Sequence, residues 1–572
     1  MHRDNTVTGK SIQYLSIIVG ILAFGYALYY FNYLETPSAD YINNFLPRVR
    51  EYMNGIFPGS SFKILPVYSL LVALLAKLNP VASFDPVYMT AIIFNLILFI
   101  PYLFVTWALY RRWLAAPYAL LAMLFLSANI YTVYTVINAE LEMLLTLLIA
   151  LTIYFTAKNS RFAYLTSWLA AGTKWDAVFT VPAAMYRDFF ENRKKLVALV
   201  LGGLASTIAI SWMALSVYQS STAQGHAYVG EISRRGPNIY QFLIDCYLVA
   251  SSFGAWMGTH IYFSHIMVMK VLLVPILLVF VLFVLVSLTW GAFLFIKINW
   301  KRHIPLIIAI SGFLLVHVVY QNTKSRYVLP VLWLLNLFIF YGVIDGILPR
   351  ISNMASRITG HKKKILLALG FGAGLVLFIF ASGFTIMDAG LTSYAWALAF
   401  TAVGVIIVRY TISSDKRTIL ASTLIFGVLF SFMTGYGART MDHYSLRRVE
   451  FKKAGIWYRS NGNKNDRMLI SETNVAMYYS GLERDHFINS RSLENDTMNG
   501  LVEELSRKGV TLVFIDDFYI RRLMVGDKNA LMRNAETLKM IREKALENRH
   551  FKLLKTFSTG DDIKSYLFRF NR

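Results

Sequence analysis

Residues 164–186 read YLTSWLAAGTKWDAVFTVPAAMY. The stretch has the length of one membrane crossing, yet Thr173, Lys174, Trp175 and Asp176 cut through its middle. Charged groups at bilayer depth are costly, and irregular backbone is tolerated there only where protein or water covers it. Two short helices forming a hairpin, with both ends on one side, fit better than a single span. That choice sets the topology of everything around it. With the hairpin counted, Arg111 and Arg112, Lys158 and Arg161, and Arg187, Arg193, Lys194 and Lys195 fall on one side. Lys297, Lys301 and Arg302 join them, with Arg350, Arg357, Lys362, Lys363 and Lys364, and then Arg409, Lys416 and Arg417. The positive-inside rule makes that side cytoplasmic. Among the opposite loops, Arg234, Arg235, Lys324 and Arg326 are the visible exceptions.

The apolar runs behind this count are 11–31, 88–110, 114–131, 141–157, 196–218, 271–296, 304–320, 327–347, 365–387, 393–408 and 419–434. With the two hairpin halves they predict a polytopic α-helical protein of about thirteen transmembrane helices. The run 64–78 is too short to span and is expected to lie in the interface or re-enter. Arg3 and Lys10 precede the first run and favour a cytoplasmic N-terminus. That run ends in Tyr29, Tyr30, Phe31 and Asn32 with no small-residue cleavage site, so it reads as an uncleaved span.

Composition agrees. Of 572 residues, 56% are hydrophobic and 16% charged, and mean hydropathy is +0.49. This excludes a soluble enzyme and a disordered scaffold. A net charge of +23 would suggest nucleic acid in a soluble protein; here the cations belong to membrane-flanking loops, and no nucleic-acid partner is expected. The lone cysteine, Cys246, cannot form an intrachain disulfide.

Residues 1–436 thus form a membrane domain with an outer loop at 32–87, and 437–572 a soluble α/β domain that parity places outside the cytoplasm. In the latter, 468–471 and 511–515 read as buried strands with an amphipathic helix, 498–508, between them. Residues 528–549 read as a helix, and 551–557 and 563–570 as a hairpin turning at Gly560 and Asp561. No nucleotide-binding glycine loop, zinc-ligand spacing or internal repeat is present.

Ionisable residues at membrane depth are functional candidates, and on this topology four sets share the outer surface. They are Asp40; Glu140 and Glu142; Lys174 and Asp176; and Lys324, Arg326 and Tyr327. Carboxylates and cations together suit an anionic, lipid-borne substrate, and the chemistry fits glycosyl transfer from a polyprenyl-phosphate sugar. An acceptor hydroxyl needs a carboxylate to take its proton, and cations stabilise the departing phosphate where its charge develops. Such a donor is already activated, so no nucleotide loop is required. His226, His260 and His265 in the outer region read as interfacial residues or acceptor contacts. Asp40 with Glu140 is one carboxylate pair, too few for a metal coordination set, so no cofactor is assigned.

Each candidate has a structural competitor. Asp40 suits the cap of a helix over 41–52; Glu140 and Glu142 suit a helix N-terminus, where two residues apart they face different ways. Lys324 and Arg326 suit snorkelling to headgroups, and Lys174 a local pair with Asp176. Rival functions are an oligosaccharide polymerase or ligase with a pyrophosphate-linked donor, and a lipid flippase or transporter.

Certain patches resemble a family. Asp40 and Tyr41 with Arg48 and Gly55, followed by Pro66, Val67, Tyr68, Ser69, Leu70 and Leu71, resemble the first outer loop of GT-C glycosyltransferases of the protein-mannosyltransferase and aminoarabinose-transferase type. Ala171, Gly172, Thr173 and Lys174 resemble that group's broken hairpin, and Arg326, Tyr327, Val328, Leu329 and Pro330 its RY-L-P segment. The resemblance implies a GT-C fold with Asp40 as catalytic base and Glu140 as a second acidic residue. It implies Lys174 and Arg326 as phosphate contacts. By their place on the same surface Lys324 and Tyr327 are read as further phosphate contacts, and Glu142, Asp176, His260 and His265 as acceptor or sugar contacts. The implied partners are a polyprenyl-phosphate sugar such as one on undecaprenyl phosphate, the bilayer, and a glycan, lipid or protein acceptor; the short outer loops without a disulfide framework point to a bacterial inner membrane. Ala39 stands where many relatives have a second acid, and Leu65 precedes Pro66 where some have two prolines.

Overall fold

The computed structural model describes residues 9–31, 33–34, 36–38, 40–57, 64–78, 83–222, 267–319, 329–358, 361–446, 448–463, 465–495, 497–516, 542–543, 545, 548–559 and 563–571. The chain divides into two compact units, 1–32 with 48–441 and 33–47 with 442–572.

The helices of the first unit are α1 (Gly9–Tyr29), α2 (Leu46–Met53, begun in the second unit), α3 (Pro66–Leu78), α4 (Pro86–Tyr110), α5 (Ala116–Ala128), α6 (Ile130–Ile137) and α7 (Glu142–Ala157). Then come α8 (Phe162–Ala171), α9 (Thr180–Tyr186), α10 (Lys195–Thr222), α11 (Met267–Val319), α12 (Leu332–Tyr341), α13 (Leu348–Ser356), α14 (His361–Thr411) and α15 (Lys416–Leu446, its last turn from Asp442 on belonging to the second unit). Among the described residues seven helical segments are long and apolar enough to cross a membrane, eight if the bent pair α5–α6 is one span. The predicted spans 141–157, 271–296 and 304–320 correspond to shorter described apolar helices, Glu142–Ala157, Leu282–Ile298 and His303–Gly312.

Three departures from simple spans have local causes. The predicted run 114–131 is not one helix: the chain bends by 61° between α5 and α6. Asn129 there is extended, and its side chain accepts from Tyr131 N at 2.9 Å, so a new helix begins without an orphaned amide. In α14, Gly390 has φ +81°, a left-handed conformation suited to glycine, between the predicted spans 365–387 and 393–408. In α11 the rings of Phe295 and His303 stack with centroids 4.0 Å apart. Eight residues of straight helix would separate them by about 12 Å along the axis, so the run is bent where the two predicted spans meet.

Side chains from the predicted cytoplasmic loops gather at one end of this unit. Arg112 and Arg187 both donate to the carbonyl of Ala157, at 2.8 and 3.0 Å, satisfying the last turn of α7 and favouring its dipole. Trp113 lies against His303 and Phe295. Helices approach closely where glycines allow it. A Cβ on Gly291 would stand 1.8 Å from the Phe338 carbonyl, and one on Gly342 1.9 Å from that of Ser287, a small-residue crossing of α11 with α12 and the turn after it.

The second unit holds a five-stranded sheet of order β2-β1-β3-β5-β4. The strands are β1 (Met468–Ile470), β2 (Phe487–Asn489), β3 (Leu512–Ile515), β4 (Phe551–Thr559) and β5 (Ile563–Phe570). β1 is parallel to β2 and β3, while β5 is antiparallel to β3 and β4. Leu469, Val513, Ile515 and Phe568 meet Leu501 and Leu505 of α18 (Met498–Arg507) in its core. The predicted strands, hairpin and intervening helix are present. β2, α16 (Val449–Asn461) and α17 (Thr473–Ser480) add to the prediction, and most of the predicted helix 528–549 lies outside the described residues.

Candidate active site

The first turn of α3 is the hub of the site in the membrane unit. Val67 N donates to Gly172 O at 3.1 Å, which docks α3 on the break in 164–186. A Cβ on Gly172 would come within 2.6 Å of the Val67 side chain, so this approach needs glycine. Trp212 Nε1 donates to Ile64 O at 3.0 Å, and Leu65 packs with Trp212 and Trp175. Two patches far apart in sequence, at Pro66 and at Gly172, are thereby neighbours.

The break takes the predicted form. α8 ends at Ala171, a 3₁₀ turn covers Trp175–Phe179, and α9 resumes at Thr180. At its tip Lys174 Nζ lies 3.0 Å from Asp176 Oδ2. The local ion pair is formed, and it sits where both side chains are largely shielded from solvent.

One residue along α3, the Tyr68 hydroxyl donates to Asn95 Oδ1 at 3.4 Å. The Asn95 amide donates in turn to the carbonyls of Asn138, at 2.6 Å, and Glu140, at 3.1 Å. Asn95 is wholly buried, and it satisfies two carbonyls of a non-helical turn at a depth where they would otherwise be expensive. Glu140 is 2% exposed and Glu142 6%. Both carboxylates act electrostatically on the Tyr68 hydroxyl, and Glu140 and Asp85 act on that of Tyr88. The separation of faces expected for residues two apart does not apply, because Glu140 lies in the turn and α7 begins only at Glu142. Nor are these solvated helix-end charges.

Asp40 lies in the other unit. Its backbone is helical, and its side chain makes no capping bond to the π-helical turn Tyr41–Phe45 that follows. Ser38 Oγ accepts from Tyr41 N at 3.0 Å instead, so the capping reading of Asp40 gives way. Asp40 Oδ1 accepts from Asn44 Nδ2 at 3.2 Å.

The structure therefore brings Glu140 and Glu142 to one end of a short path through Tyr68 and Val67, and the Lys174–Asp176 pair to the other. Lys324, Arg326, Tyr327, His226, His260 and His265 lie outside the described residues. Among the described residues no group of three or more His, Cys, Asp or Glu is placed to hold a metal ion. Sequence reasoning missed Asn95 and Tyr88. A lone asparagine inside the apolar run 88–110 was the available signal, since polar groups at that depth demand partners.

No protein-family model and no curated protein matches the chain. Solved structures do. ArnT from Cupriavidus metallidurans bound to undecaprenyl phosphate aligns with a TM-score of 0.50 at 12% identity, over 98% of this chain and 98% of that one. Its apo form gives 0.48 at 13% over the same shares. The Archaeoglobus fulgidus oligosaccharyltransferase tethered with an acceptor peptide gives 0.44 at 10%, over 100% of this chain and 75% of that one. The first of these shows the fold: the chain shares the fold of ArnT over 98% of its length.

Proposed function

We propose that this chain is an integral-membrane glycosyltransferase that moves a sugar from a polyprenyl-phosphate donor to an acceptor hydroxyl. Transfer takes place on the extracytoplasmic face of a bacterial inner membrane, with inversion at the anomeric carbon. The observation that carries this reading is the convergence, on the first turn of α3, of the turn bearing the buried Glu140 and Glu142, through Asn95, from one side and of the break with its shielded lysine–aspartate pair from the other. The fold shared with ArnT, which holds undecaprenyl phosphate, supports a lipid phosphate as the leaving group.

In the proposed reaction Asp40 accepts the acceptor's proton as its oxygen attacks the anomeric carbon. The bond from that carbon to the phosphate oxygen breaks, and the lipid phosphate leaves with one added negative charge. Arg326, with Lys324 and Tyr327, meets that charge, and arginine suits it because its fork engages two oxygens. Lys174 contributes once phosphate competes with Asp176 for its ammonium. Glu140 and Glu142 serve the sugar or acceptor, as do His260 and His265. The acceptor is a glycan, lipid or protein.

The test uses host membranes carrying wild-type chain or Asp40→Asn at matched expression, fed a panel of radiolabelled polyprenyl-phosphate sugars. Label should pass to endogenous acceptors with the wild type and fall about 10²–10⁴-fold with Asp40→Asn. Equal transfer by both would remove Asp40 from the mechanism. No transfer from any donor would favour a pyrophosphate-linked donor or lipid transport.

A further inference from the structure

The loop that carries Asp40 is built into the C-terminal unit. Residues 33–47 cluster with 442–572 rather than with the helices that flank them in sequence. Two attachments bracket Asp40. On one side the Tyr33 hydroxyl donates to the Asp442 carboxylate. On the other the turn Tyr41–Phe45 packs against α17, with Tyr41 and Phe45 buried. That turn is π-helical, a conformation frequent at functional sites. Within it Asn44, one turn on from Asp40, donates its amide to Asp40 Oδ1.

We propose that the C-terminal unit is the holder of Asp40, with Asn44 the positioning residue for its carboxylate and the Tyr33–Asp442 bond the anchor of its loop. The inference rests on the reading of Asp40 as general base. A base must stand within hydrogen-bond reach of the proton it takes, in the right plane. An amide on one carboxylate oxygen fixes that plane, and it favours the ionised form that can accept a proton. With Ser38 serving the backbone of the turn, the Asp40 carboxylate is not committed to capping.

The test is a double-mutant cycle on the full-length protein in the label-transfer assay. Asn44→Ala should lower kcat about tenfold, the low end of what one hydrogen bond to a charged group is worth, and leave the donor KM unchanged. On an Asp40→Asn background the same change should cost nothing further, because the carboxylate it orients is gone. Asn44→Asp keeps the size but replaces the donor with a like charge, and should be slower than Asn44→Ala. Tyr33→Phe should lower kcat by about twofold to threefold, again without a change in KM. Equal fractional losses from Asn44→Ala in both backgrounds, or an effect confined to KM, would overturn the positioning role and leave the base standing. Full activity in Asp40→Asn would overturn the reading on which the inference rests.

Discussion

The C-terminal unit and the membrane unit hide their apolar residues by different rules. In the C-terminal unit water draws the boundary. α18 buries Leu501, Glu504 and Leu505 and turns its remaining polar face outward, and β3 is buried along its whole length. In the membrane unit no such boundary exists. On α4, Leu96, Phe99 and Leu103 are buried while Ile97, Ile100 and Phe104 are exposed, and the two sets are equally apolar. Inside is distinguished there by polar atoms with partners, such as Asn95, and by glycines at crossings. The first unit should therefore fail when backbones are pushed apart, and the second when its charges are neutralised.

The largest effect should come from Gly291→Leu. A side chain there meets the Phe338 backbone, which cannot step aside as a flexible side chain can, so no folded protein should survive size-exclusion chromatography in detergent. Gly203→Leu is the control, since nothing lies within 4 Å of its Cβ position, and it should leave the elution profile unchanged.

Next is Asn95→Leu, which strips the carbonyls of Asn138 and Glu140 of a donor. It should cost about 3 kcal/mol of stability, read as a lower thermal midpoint, and should release the turn that holds Glu140. Retention of both midpoint and transfer activity would show that this amide organises nothing.

A smaller effect, confined to the other unit, should follow acidification. Burial pushes the Glu504 carboxyl up, but the Lys508 ammonium, the Asn495 amide and the backbone N–H groups of Asn495 and Glu494 outweigh it and hold it at about 2. A carboxyl held below its unfolded value of 4.5 adds stability that is complete above 4.5 and is lost as pH falls through 2. Protection factors for hydrogen exchange, taken relative to the intrinsic rate at each pH, should fall in peptides covering 494–508 over that window, and Glu504→Gln should bring the lower protection to neutral pH at a cost of about 2 kcal/mol. The smallest effect is Gly390→Ala, about 1 kcal/mol for forcing a side chain into a positive-φ position, visible as a small drop in thermal midpoint.

The same contrast explains what could be read from the sequence. Strands 468–471 and 511–515, the helix at 498–508 and the terminal hairpin were legible because alternation and amphipathic spacing record a water boundary. β2 was not, since three residues carry too little pattern. In the membrane unit the hairpin at 164–186 was legible because Lys174 and Asp176 interrupt an apolar run. The bend at Asn129 was not, because one small polar residue after Ser127 and Ala128 looks no different from a helical side chain turned toward a neighbour. At the candidate site, Glu140, Glu142, Lys174 and Asp176 announced themselves by charge. Their meeting through Tyr68, Val67 and Asn95 depends on contacts between residues up to about a hundred positions apart, which no local spacing encodes.

Membership of residues 33–47 in the C-terminal unit also has a consequence in time. The segment is translated ahead of Asp442 and α17, which follow only after about 400 more residues. At about 5–20 residues per second that is a wait of about 20–80 s. The loop bearing Asp40 thus emerges early and stays unanchored through the synthesis of nearly the whole membrane unit. On the proposed mechanism, the base is set only when the C-terminal unit closes around a segment made about 400 residues before it.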